Sequence, residues 1–318
     1  MGTEEKLKGQ ASKVESIVFG DLTWLNITQP TELEMGYLAQ RYSFNSFDLE
    51  DCLSKRQQSK LDVYKEYLFF IFQFSVWDNK ARVSKSDRVS VFIGNGYLVT
   101  IHDGQLKPLM SLFRDCQSTE EIRTDNMNGG SGYLLYRIVD RVIDAYFPIL
   151  NSVQAWIDDV EEAVFDENKE VGAEVATLRR DINTQHRIIR SFREASEELE
   201  KQITRFSKIE LSVHFGDFMD HVNKAFDTLE DYQETVEVFK DTDYVLSTNR
   251  LNRIMRVLTI ISTIMLPLLV ISGLWSMNVP LPFGADPGGH RHFFYFIILG
   301  LLFVSLGMLY LFHRKRWI

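Results

Sequence analysis

Two groups of side chains in this sequence carry donor chemistry at positions that invite a functional reading. Asn278 places an uncharged amide where a long apolar run stops, shortly after Gly273, whose missing side chain lets neighbouring helices approach closely. An asparagine at that point also serves as the C-cap of an ordinary helix, and local sequence leaves both readings open. His290 and His292 flank Arg291 in a short loop. Neutral imidazoles there suit Zn²⁺ or Co²⁺ better than Mg²⁺, but two interfacial histidines beside Arg291 are the plainer reading. The two cysteines, Cys52 and Cys116, have no partner at metal-ligand spacing, so buried reduced thiols are expected rather than a disulfide or thiolate zinc.

The elements that must position these groups are legible in the hydropathy. Residues 257–277 and 293–312 contain no charged side chain. At ~1.5 Å per residue each run crosses the ~30 Å hydrocarbon core, so both are expected to span a membrane. Arg250, Arg253 and Arg256 precede the first run and Arg314, Lys315 and Arg316 follow the second, while the loop between holds only Arg291 as a fixed cation. That bias places both ends in the cytoplasm of a cell-membrane protein. The first sixteen residues are mostly polar and charged, so no cleavable signal is expected. The formal net charge of -9 sits on a chain with a basic end, which concentrates acidity in the soluble part and argues against nucleic acid as a partner.

Upstream, residues 16–27 and 68–77 are rich in β-branched and aromatic side chains, and 89–101 contains two such runs broken at Gly94, Asn95 and Gly96, as in a hairpin. Thr31 with Glu34 is a capping-box signal for a helix ending before Tyr42. An α/β domain over 1–128 is expected. After Gly129, Gly130 and Gly132, read as a flexible break, helical periodicity takes over in 129–216: Leu134, Ile138, Val142 and Ala145 share one face with Arg141. No glycine or proline interrupts the chain between Gly216 and Pro267, which predicts one helix over 217–278, its first ~60 Å lying outside the bilayer. Then come a loop at 279–292, the second span and a basic tail at 313–318. Along the long helix Val245, Thr248, Asn252, Met255 and Leu258 recur at three-to-four-residue spacing, fit either for the axis of a parallel bundle or for packing on the chain's own domain. Asp227, Glu230, Asp231 and Glu234 crowd its upstream part.

The run from Pro267 through Gly273 to Ser276, Met277 and Asn278, with Met255 to Ile261 before it and Arg314, Lys315, Arg316 and Trp317 at the end, resembles the CorA family of divalent cation transporters. The family's first membrane helix ends in Gly-Met-Asn; here Ser276 stands where the family has glycine. The resemblance implies a homo-oligomeric, pentameric Mg²⁺ channel in membrane lipid, its mouth formed by Ser276, Met277 and Asn278. An amide carbonyl there accepts hydrogen bonds from a hydrated ion without stripping its shell. It further implies that Asn252, Met255, Leu258 and Leu266 line the pore, where apolar rings gate by dewetting. Phe47 to Asp51 resembles the family's acidic element before a helix, residues 133–147 its tyrosine-containing helix with Asp140 inside, and Asp217, Asp220 and His221 the segment opening its stalk. These imply intersubunit sites for cytoplasmic Mg²⁺, Asp51 with Asp241 in one and Glu50, Asp140 and Asp217 in another. Within the loop only Asp286 is acidic, fewer than in many members. Zn²⁺ or Co²⁺ transport, proton-coupled or not, is the alternative, as is a non-conducting metal sensor. No phosphate-cradling glycine loop, clustered histidines in the soluble part or nucleophile arrangement occurs, so no enzyme activity is expected.

Overall fold

Along strand β4 (Tyr67–Asp78) the side chains alternate between two apolar cores, because successive residues of a strand point to opposite faces of the sheet. Leu68, Phe70, Phe72 and Phe74 belong to the larger core, and Tyr67, Phe69 and Ile71 to the smaller. A computed structural model describes residues 13–54, 58–166, 169–276 and 291–315. Its sheet has the order β1-β2-β6-β5-β4-β3, with β1 at Val14–Phe19, β2 at Leu22–Thr28, β3 at Lys60–Val63, β5 at Val83–Gly94 and β6 at Tyr97–His102. All neighbours are antiparallel except β2 and β6, which pair in parallel with Thr23 opposite Tyr97. The expected hairpin at Gly94–Gly96 joins β5 to β6, with Gly94 opposite Tyr97. Gly96 takes φ +80°, and a Cβ there would lie 2.9 Å from the Asp21 carbonyl.

One face of the sheet carries two short helices, α1 (Glu32–Arg41) and α2 (Ser46–Leu53), which supply Met35, Tyr37, Leu38, Leu49 and Cys52 to the smaller core. The capping box is present at α1, where the Thr31 amide donates to the Glu34 carboxylate at 2.9 Å. The opposite face is covered by α3 (Lys107–Ser118), α4 (Glu120–Met127), α5 (Ser131–Asp144), α6 (Phe147–Val164), α7 (Gly172–Ile203) and the start of α8 (Ser212–Ser276). A last helix, α9, runs over Arg291–Arg314. The α/β domain followed by a long helix and a C-terminal helix is therefore as expected.

Three local expectations are corrected. Residues 16–27 form two strands rather than one, because the chain reverses at Gly20 and Asp21 and β1 folds back on β2. Phe47 to Asp51 lies inside α2 rather than before a helix, since the Asn45 side chain accepts from the Phe47 amide and starts the helix there. The glycines at 129–132 are a tight joint rather than a flexible break. The Lys208 amide donates to the Gly129 carbonyl at 2.8 Å, and a Cβ on Gly132 would sit 2.8 Å from the Ile203 carbonyl. Both cysteines are buried and free, as expected.

The chain divides into two compact units, Met1–Lys240 and Asp241–Ile318, and the boundary falls within α8.

Candidate functional site

The second unit contains the helix face on which the pore-lining expectation rests. At 100° per residue Asn252, Met255, Leu258 and Leu266 fall within an arc of about 120° on α8, and all four are exposed. Thr248, Thr259 and Ser262 fall in the same arc, so small polar positions are interspersed among its apolar ones. The Thr248 hydroxyl turns back to donate to the Tyr244 carbonyl at 2.8 Å, so part of its polarity is satisfied within the helix. α8 carries an apolar stretch long enough to cross a membrane, of which only 6% is buried. Ser276 is the last described residue of α8, and its hydroxyl donates to the Gly273 carbonyl at 2.9 Å. Met277, Asn278 and His290 lie outside the described residues, and His292 falls in the first turn of α9.

In the first unit, α5 and the start of α8 bring two of the expected carboxylates together. Asp140 is half-buried on α5 and within electrostatic reach of Asp217, which is exposed on α8. Burial is the main reason the Asp140 carboxyl stands above the usual carboxylate range; Asp144 adds to it, Arg137 and His221 oppose it, and Asp217 adds again. One turn along α8 from Asp217, His221 Nδ1 lies 3.3 Å from Asp144 Oδ1. Glu50 does not join this pair within one chain: it is exposed on α2, which packs on the opposite face of the sheet.

The neighbourhood of Asp51 has different chemistry. Asp48, one turn earlier on α2, is buried and accepts from the Tyr64 and Tyr67 hydroxyls at 3.0 and 2.9 Å. Burial raises its carboxyl above the usual range while those two hydroxyls hold it back. Asp51 is only partly covered, and its Oδ2 pairs with Lys60 Nζ at 2.7 Å. Asp241 is exposed on α8, at the start of the second unit. Among the described residues no three His, Cys, Asp or Glu side chains gather as a metal-holding group. Asp48 and Asp144 lie within the stretches marked by the resemblance but carried no role of their own there, and Lys60 was not singled out. Lys60 and Asp62 had a signal, since residues two apart on a strand share a face, but the strand itself was not expected there.

These features find their counterparts in known proteins. Residues 19–315 match the family model described as CorA-like Mg²⁺ transporter protein. The YfjQ protein of Bacillus subtilis is 28% identical over 298 residues, covering 92% of this chain and 89% of its own. The cobalt/magnesium transport protein CorA of Thermotoga maritima is 26% identical over 325 residues, covering 99% of this chain and 90% of its own. The complete structure of the CorA magnesium transporter from Methanocaldococcus jannaschii superposes with a TM-score of 0.78 over 96% of this chain and 94% of that one, at 20% identity, a likeness of fold. The α/β domain, the long helix that becomes an unburied apolar span, and the match over nearly the whole length make this chain a member of the CorA-like Mg²⁺ transporter family, a divalent cation transporter of the membrane.

Proposed function

We propose that five copies of this chain assemble around the Asn252, Met255, Leu258 and Leu266 face of α8 and pass hydrated Mg²⁺ into the cytoplasm through a mouth at Ser276, Met277 and Asn278. The observation that carries the reading is that face: a helix in the membrane-spanning length with its apolar side chains exposed and interleaved with small polar positions. One chain has too few spans to enclose a pore, so copies must supply the rest of the wall. Asn278 meets the ion with its hydration shell in place. Met255, Leu258 and Leu266 form apolar rings that dewet and close the path. Both ends of the chain face the cytoplasm, in keeping with the arginines that precede the first span and the basic residues that follow the second.

Gating follows from the carboxylates. Asp140 and Asp217 carry two hard-oxygen donors in one seam but do not complete a site, and Glu50 reaches such a pair only from another copy. Asp51 and Asp241 form the second such pair across copies. Cytoplasmic Mg²⁺ screens these negative charges and holds the closed state; its loss leaves them to repel one another and releases the pore. Co²⁺ accompanies Mg²⁺ as a substrate, in keeping with the name of the Thermotoga relative.

Purified protein in liposomes tests the proposal. Asn278→Ala is expected to abolish Mg²⁺ flux, and undiminished flux rules out the mouth. Competing Mg²⁺, Co²⁺ and Zn²⁺ in the same vesicles ranks the ions, and a preference for Zn²⁺ would replace Mg²⁺ as the substrate.

A further inference from the structure

Asp51 already faces a cation that belongs to the chain. Lys60 and Asp62 share a face of β3, and the Lys60 ammonium sits 2.7 Å from Asp51 Oδ2 and 2.7 Å from Asp62 Oδ2, so it bridges the end of α2 to the strand. The same ammonium lies 5.6 Å from the centre of the Phe69 ring. The lysine and both carboxylates are partly open to solvent, so ions reach them from water. Asp51 itself is held in place. The Arg88 guanidinium donates to the carbonyls of Asp51 at 2.8 Å, Cys52 at 2.7 Å and Ser54, pinning the last turn of α2. Asp48 lies buried beside this group, each of its oxygens accepting from a tyrosine hydroxyl, and the charges of Lys60 and Asp62 both act on it.

We infer that Lys60 is a tethered competitor for Mg²⁺ at Asp51, setting the concentration at which the ion engages the carboxylate. The inference rests on the reading of Asp51 as a sensing carboxylate. An ammonium at hydrogen-bond distance and a divalent cation cannot share one carboxylate oxygen, since their charges repel at that range. Mg²⁺ on either oxygen of Asp51 sits close enough to the ammonium to repel it, and so competes with Lys60 for the carboxylate. The flexible four-carbon stem lets the ammonium move, and Asp62 keeps hold of it when Asp51 is given up. Lys60 thus raises the Mg²⁺ threshold without blocking the site, and Asp62 moderates how far it does so.

The test uses the full-length protein in liposomes, titrated with MgCl₂ on its cytoplasmic side while Mg²⁺-dependent protection from protease and closure to flux are followed. Lys60→Met is expected to lower the midpoint about tenfold, the scale of removing one positive charge beside a divalent ion at a solvent-accessible site. Lys60→Arg keeps the charge and is expected to stay within about twofold of the parent. Asp62→Asn, which removes the ammonium's other acceptor, is expected to raise the midpoint. An unchanged or raised midpoint in Lys60→Met, or a lowered one in Asp62→Asn, overturns the competition. Asp51→Asn separates this from failure of the underlying reading. If it shifts the midpoint while Lys60→Met does not, the sensing carboxylate stands and the competitor falls. If Asp51→Asn also leaves the midpoint in place, both fall.

Discussion

Strand β4 and the apolar stretch of α8 use the same kinds of side chain and meet opposite fates. Leu68, Phe69, Phe70, Ile71 and Phe72 are wholly buried, because helices cover both faces of the sheet. On α8, Leu258 is 56% and Leu266 62% exposed, with Ile261, Leu269 and Val270 similarly open. Burial of each such side chain stabilises by roughly 1.5–3 kcal/mol, but only where something covers it. The chain supplies that cover for β4. In the proposed assembly the cover for α8 comes from lipid and from other copies, so the sheet is complete in one chain and the proposed transport path is not.

Substitutions in the two regions should therefore separate stability from transport. Phe72→Ala opens a cavity in a filled core and is expected to destabilise the soluble unit by ~3–5 kcal/mol in denaturant titrations. Leu258→Ala is expected to leave that unfolding transition within ~0.5 kcal/mol and to raise flux at Mg²⁺ concentrations that close the parent. If Leu258→Ala melted the soluble unit as Phe72→Ala does, the division between a self-sufficient core and an open helix face would fail.

Acid sharpens the same contrast. His102 is buried on β6, with Nε2 3.0 Å from the Asn26 side-chain carbonyl, and burial lowers its imidazole to about 4. The unfolded chain takes up a proton near pH 6.5 while the folded chain does not. The stability this neutral histidine contributes is thus complete above pH 6.5 and is lost as pH falls toward 4, on the order of 3 kcal/mol in all. Melting of the soluble unit across that window should show this slope, and His102→Gln should flatten it. The smallest effect is expected at the surface: Thr31→Ala removes one partner of the capping box on α1 and should cost ~1 kcal/mol, with no change in flux.

Much of the fold was legible because its signals are local. Gly94, Asn95 and Gly96 mark a hairpin by their own backbone preferences, Thr31 and Glu34 cap a helix three residues apart, and a glycine-free run predicts a long helix. The joint at Gly129–Gly132 was not legible as a joint. The same glycine spacing serves a flexible linker or a close contact, and only the carbonyl of Ile203, far along the chain, decides between them. The carboxylates divide in the same way. Resemblance pointed to Asp140 and Asp217, yet their shared seam between α5 and α8 arises from packing, as does the ammonium of Lys60 set between Asp51 and Asp62.

By itself the sequence determined the class of protein, because hydropathy, charge bias and the run ending in Ser276, Met277 and Asn278 are properties of neighbouring residues. The tertiary structure alone decided which charges meet, and which apolar faces the chain covers and which it leaves open. Those outcomes depend on contacts between residues distant in the chain, and no local spacing encodes them.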